Sequence, residues 1–332
     1  DRSPSRGLGD VYKRQTRNFP NREGSKPSNG QVSTVALMDA RSIAATAANG
    51  GRLTPATELD WSAPALANVD LSYTFEPLIY HSRVYNGFGK AEPETQLVRG
   101  PNIADWPSMS PLPEHLLLQV VSVITDPVTT TDELIPSGET SSLRSNPLKL
   151  AEYTLSRKDP GYVGRAKAVN AMEAARLANP ADAELLAKAR GLFAVCGLDV
   201  LQGAADLKQV GLGSTIFAVK PGDGSAREQA ASCQKVLGGW ANMAVEYATK
   251  RYRSNLINWG MLPFQLNGAA PFGLGDYILI PRVREALKGD LQNIPAYVLG
   301  EEVKPFALYM APLTSDEREI LADGCLINYY KH

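Results

Sequence analysis

Residues 213–244, GSTIFAVKPGDGSAREQAASCQKVLGGWANMA, carry the reading on which the fold turns. GSTIFAV (213–219) is a short run free of charged residues and rich in β-branched and aromatic side chains, as in a buried strand. KPGDG (220–224) is a glycine turn, SAREQAASCQKVL (225–237) a helix, and the Gly238-Gly239 pair stops it. WANMAVEYA (240–248) is a second apolar segment. Strand, turn, helix and apolar segment in that order make one unit of an α/β layer.

Working outward, LLLQVVSVI after His115 reads as the strand that opens the compact region, and TTTDELIPSGETSSLRSNP (129–147) as a polar, turn-rich loop. RAKAVNAMEAARLA (165–178) and NPADAELLAKARG (179–191) read as two helices, the second with Asn179 as N-cap, Pro180 at its first position and Gly191 as its stop. MLPFQL and YILIPRV are further strands. In the closing helix, TSDEREILADGCLINYY, Thr314 and Glu317 have capping-box spacing. Upstream, a small-residue helix is expected from N-cap Asp39 to Gly50-Gly51. Residues 56–114, rich in Pro, Asn and Ser, read as a long linker wrapped over a surface. DRSPSRGLGDVYKRQ (1–15) has no periodicity and resembles a translated assembly scar, which is set aside.

The chain has 332 residues, 44% apolar and 21% charged, with 34 Lys+Arg against 35 Asp+Glu. That composition supports a buried core and about two domains, and it excludes a disordered polyampholyte. A net charge of -1 without a basic stripe disfavours a nucleic-acid partner. No apolar run approaches a membrane span and no secretory leader is evident, so a cytoplasmic setting is the expectation. Cys196, Cys233 and Cys325 lie far apart without a C-x-x-C pair. This argues against a disulfide scaffold or a metal site built from this chain alone. With His81, His115 and His332 as the only histidines, chemistry must rest on Ser, Arg, Asp or Glu.

The KPGDG turn leading into Ser225-Ala226-Arg227-Glu228 has the outline of an anion site. Glycines let the backbone turn sharply and approach a ligand, and a helix start directs unpaired N–H groups and a positive dipole end outward. Arg227 adds a fork that can hold a carboxylate or phosphate through two hydrogen bonds. The plainer alternative is that Ser225 caps the helix and Arg227 is solvated.

These residues resemble a family. GDGSAREQAASCQKVLGGWANMAVEYATKRYRSNLINWGMLPF (222–264) is similar to the swivelling-domain signature of the aconitase family, roughly G-E-G-S-S-R-E-H-A-A, a GG turn, then N-L and G-L-L-P. RNFPNR (17–22) resembles the family's R-N-F-x-G-R loop. TTDELIPSGETSSLR (130–144) resembles its T-T-D-H-I-x-x-x-G loop, with an arginine six residues after the glycine. The three matches fall in the family's order, and GCLINYYKH resembles the C-terminus of hydratases in this family.

The resemblance implies an α/β fold with an aconitase-type swivelling β/β/α domain over 115–332. Before it would come the tail of the cluster-binding α/β domain (16–55) and the linker (56–114). It implies a hydro-lyase that interconverts a hydroxy di- or tricarboxylic acid and its unsaturated acid, represented here by the C-terminal part of a longer enzyme. By the same resemblance Ser225 is the base, Asp132 the second catalytic residue, and Arg17, Arg22, Arg144 and Arg227 clamp substrate carboxylates. The 4Fe-4S cluster would sit in upstream domains of the same chain, so these residues alone would bind no cluster and be inactive. The sequence departs from the pattern at Ala226, where the family has a second substrate-binding serine, at Glu133, where it has a histidine, and at Asn21, where it has a glycine. Ala226 implies a substrate other than citrate, or weaker binding. Two alternatives from other classes are a stand-alone swivel subunit of an isopropylmalate-dehydratase-like heteromer and a non-catalytic RNA-binding relative. A phosphate-binding enzyme built on KPGDGS is weaker, since the turn lacks the G-K-[ST] ending of a P-loop.

Overall fold

A computed structural model describes residues 38–60, 72, 74–82, 87–195, 206–300 and 302–331. The chain divides into two compact units, 1–98 and 99–332. In the first, α1 (Ala40–Ala48) starts where Asp39 accepts hydrogen bonds from the N–H groups of Arg41 and Ser42. It ends before Gly50 and Gly51, both at positive φ, as its sequence indicated. A short 3-10 turn (Ala56–Glu58) and α2 (Pro77–His81) follow.

The second unit is built on a seven-stranded mixed sheet. Its elements begin with β1 (His115–Ile124), β2 (Thr129–Thr130), α3 (Thr131–Leu134), a 3-10 turn (Ser141–Leu143) and α4 (Pro147–Ala151). Then come α5 (Tyr162–Ala178), α6 (Ala183–Val195), β3 (Val210–Ala218), β4 (Pro221–Asp223), α7 (Arg227–Val236), β5 (Gly239–Ala244) and α8 (Lys250–Asn258). The chain closes with β6 (Leu262–Gln265), β7 (Tyr277–Ile280), α9 (Val283–Lys288), β8 (Ile294–Leu299), β9 (Lys304–Leu308), α10 (Ser315–Asp323) and α11 (Leu326–Tyr329). The strand order is β6-β5-β3-β1-β7-β8-β9. The β6-β5-β3-β1 half is parallel, and β7, β8 and β9 continue it antiparallel.

The apolar run of β1 puts it at the centre of this sheet. Leu116, Leu118 and Val120 enter a core shared with α9 and α10, while Val121 and Ile124 enter another, shared with α4, α5, α7 and α8. A strand covered on both faces needs apolar side chains on both, which is why its sequence does not alternate.

Several expectations are corrected. Asn179 is the C-cap of α5 rather than an N-cap, and α6 runs through Gly191 to Val195. A mid-helix glycine costs about 1 kcal/mol; continuing the helix buries Phe193. The 129–147 loop is a chain of short elements, and the β8–β9 hairpin and α9 were not foreseen. Residues 99–114, read as the end of the linker, pack within the second unit, with Leu112 in its core. Among the described residues no helix is long and apolar enough to cross a membrane.

Candidate functional site

β1 and β3 lie side by side and parallel, so both carboxyl ends open on the same edge of the sheet, where open α/β folds place ligands. The chain leaving β1 becomes β2 and the T-T-D segment; the chain leaving β3 becomes β4 and the glycine turn. β2 and β4 then pair in parallel, Thr129 with Pro221 and Thr130 with Asp223. Two residues beyond that pairing stand Asp132 on one chain and Ser225 on the other.

The glycines of the turn are required by this packing. Gly222 has φ +97, and a Cβ there would lie 2.3 Å from Cγ of Tyr252 on α8. Gly224 has φ +132, and a Cβ there would lie 2.1 Å from Oγ1 of Thr131. The turn is thus pressed between α8 and the T-T-D segment. Close backbone approach serves protein contacts at both positions, where the sequence suggested a ligand.

Ser225 is exposed and lies one residue outside the cap of α7; the N-cap is Ala226, which offers no side-chain acceptor. The plain capping role for Ser225 therefore does not hold, and Ala226 itself gives the first N–H groups of α7 no side-chain cap. Arg227, half-buried, donates through Nε to Thr249 Oγ1 (3.2 Å), and that hydroxyl donates to the Gly222 carbonyl (3.2 Å). The guanidinium is thereby anchored at the turn that carries Ser225. Ala226 and Leu143, the neighbour of Arg144, each pack against the core shared with α7. Arg144 itself is exposed, with no hydrogen bond or ion pair among the described residues. Arg17 and Arg22 lie outside the described residues.

Asp132 accepts from the Ser137 N–H (3.1 Å) and from Arg157 Nη1 (2.9 Å), and Arg157 also reaches Glu139 (2.6 Å). Glu133 completes a capping box with Thr130 and pairs with Lys158, which also holds Asp126. Partial burial raises the Glu133 carboxyl, but the Thr130 N–H and hydroxyl and the Lys158 ammonium outweigh it and keep it below the usual range. The residue standing where the family has a histidine therefore fastens the start of α3.

Sequence reasoning missed Arg157. It follows Leu155, a buried residue in the left-handed region (φ 54) whose turn sends Arg157 and Lys158 back to the T-T-D segment. A 25-residue separation from Asp132 leaves no periodic signal. It also missed a contact chain at the start of α7: Glu228 accepts from Trp259 Nε1 (3.2 Å), and Trp259 packs against Trp106, ring centroids 4.3 Å apart and planes tilted by 40°.

Cys233 and Cys325 are buried free thiols, and burial pushes Cys233 up to about 12. Cys196 is outside the described residues. Among the described residues no three His, Cys, Asp or Glu side chains converge on a point that could hold a metal ion, so those residues do not fit an iron-sulfur cluster.

The fold and site define an α/β domain with a serine hydroxyl and an arginine at the start of a helix whose N-cap residue offers no side-chain acceptor. Residues 188–269, from within α6 to just past β6, match the aconitase C-terminal domain, the swivelling domain of that family. Among solved structures the chain is similar to 3-isopropylmalate dehydratase from Methanocaldococcus jannaschii, with 21% identity over 65% of this chain and 93% of that one, at a TM-score of 0.37. No curated protein matches it.

Proposed function

We propose that this chain supplies the proton-transferring base and the carboxylate clamps of an aconitase-like hydro-lyase acting on a hydroxy di- or tricarboxylic acid. The observation that carries the reading is the β2–β4 pairing, which sets the T-T-D segment beside the serine turn at the carboxyl ends of β1 and β3. In this reading Ser225 Oγ takes a proton from the carbon next to a substrate carboxylate, while Arg227 and Arg144 hold carboxylates, with Arg17 and Arg22 as further clamps. Asp132 orients the loop opposite, and Ala226 leaves the helix N–H groups to the substrate.

The uncapped start of α7 stabilises an alkoxide by up to about 2 kcal/mol in favourable geometry, or roughly 1.5 pKa units. That alone does not make serine a base. The Arg227 charge and exclusion of water must supply the rest, because charge interactions strengthen as the local dielectric falls. The proposal assigns the 4Fe-4S cluster to upstream segments outside these 332 residues, residues 16–55 to the tail of the cluster-binding domain, 56–98 to what is left of the 56–114 linker once 99–114 pack on the second unit, and the setting to the cytoplasm.

Chemical-shift mapping of the 332-residue chain with citrate as the probe tests the reading. Shifts centred on 225–228 and 144, lost in Arg227→Gln, are expected. Shifts confined to another face would remove the site.

A further inference from the structure

Residues 104–112 cross the surface of the second unit as an extended strap that belongs to neither strand nor helix. The strap is fastened at four points. The Ala104 N–H donates to the Ser145 carbonyl (3.0 Å), next to Arg144. Trp106 packs against Trp259 with the ring planes tilted by 40°, and Trp259 donates through Nε1 to Glu228. Asn328 Nδ2 donates to the Met109 carbonyl (2.9 Å), and the Leu112 N–H donates to Ala322 (3.0 Å). Met109, Leu143 and Ala226 each pack against the same core.

Two of these attachments end one residue from a proposed substrate-binding arginine: Ser145 beside Arg144, and Glu228 beside Arg227. The segments carrying the two arginines come from opposite sides of a long sequence gap, and the strap touches both. Trp106 is 39% exposed. A large indole left that open on a surface is placed by what it contacts, and its one ring contact among the described residues is Trp259.

We propose that Trp106 is a positioning residue: through Trp259 and Glu228 it fixes the first turn of α7, while the same strap fixes the 141–146 turn through Ser145, so that Arg144 and Arg227 keep one spacing. This role rests on the proposed function. It assigns the strap a part in choosing substrates by the distance between their carboxylates, since a clamp with a fixed span discriminates by length. An aromatic ring contact and one hydrogen bond to a carboxylate suffice to restrain a helix turn without contributing much to global stability.

The test is amide exchange of the 332-residue chain with Trp106→Ala and Trp106→Phe. In Trp106→Ala, exchange at 142–146 and 226–230 should accelerate about tenfold while β3 and β5 stay at the wild-type rate, as expected of a local opening. Trp106→Phe, which keeps a ring over Trp259, should restore most of the protection. Unchanged exchange, a change in only one of the two segments, or acceleration spread evenly into β3 and β5 would overturn the proposal. Citrate titration separates this from the function itself. If wild type binds citrate and Trp106→Ala binds it equally well, the positioning role is wrong and the hydro-lyase reading stands. If wild type binds no carboxylate probe at the 225–228 turn, the function fails, and the exchange data alone decide whether the strap fixes the two turns.

Discussion

Gly224→Ala strikes the contact that brings the two halves of the site together. At φ +132 a side chain is confined to a backbone region almost exclusive to glycine, at a cost of about 1–3 kcal/mol. The added Cβ also lies 2.1 Å from Oγ1 and 3.3 Å from Cβ of Thr131, a buried residue with little room to retreat. Overpacking of that kind adds about 1–3 kcal/mol. The total, about 2–6 kcal/mol, is a large share of the roughly 5–15 kcal/mol that stabilises a typical domain. Urea unfolding should show a lower midpoint with little change in slope. Thr131→Ala removes the colliding hydroxyl but leaves the backbone conformation, so the penalty of Gly224→Ala should shrink in that background and not vanish. An equal penalty with and without the Thr131 hydroxyl would refute the packing of the serine turn on the T-T-D segment.

Ala226→Ser places an acceptor at the N-cap of α7 and should raise the urea midpoint by the equivalent of about 1 kcal/mol; an unchanged midpoint would mean those N–H groups are already satisfied. Lys235 on α7 is buried, with Nζ 3.3 Å from the Gly260 carbonyl and 3.8 Å from the centre of the Trp240 ring, and burial lowers its pKa to about 7. Below pH 7 it is charged in both folded and unfolded chains, and the whole cost of burying the ammonium is present. As pH rises from 7 toward the ordinary lysine value the folded chain loses the proton first, so stability should increase across that window and Lys235→Met should flatten the rise. Urea midpoints at several pH values check this, and a wild-type profile that matches the variant's would contradict it. Arg157→Gln breaks pairs to Asp132 and Glu139 whose side chains are about half exposed, and thermal melting should show a loss within about 1 kcal/mol; a much larger loss would mean that Arg157 holds more than those two carboxylates.

Much of the second unit was legible because its signals are local. The unbroken apolar run of β1, the capping boxes and the strand-turn-helix around Ser225 are each decided within a dozen residues. Thr314 and Glu317 form the box their spacing indicated. Asn179-Pro180 misled, because an Asn that closes α5 carries the same letters as one that opens a helix. The β8–β9 hairpin was missed because Pro295 and Pro305 argue against strands; both lie in the antiparallel outer pair, and β9 is the edge strand. Among the candidate residues, Ser225, Asp132 and Arg227 were named by motif, which carried no signal for the side chains that contact them. Arg157, Thr249, Trp106 and Trp259 act across long sequence separations, which only the folded chain reveals.

The central claim is that the Ser225 hydroxyl moves a proton at a carboxylate-bearing carbon held by arginines. Solvent deuterium exchange into substrate, measured with this chain together with the cluster-bearing part that the proposed function assigns to it, tests it most directly. Ser225→Ala should lose exchange while still binding substrate, and Arg227→Lys should retain exchange but need more substrate, because a point charge cannot replace the fork. Undiminished exchange in Ser225→Ala would contradict the account.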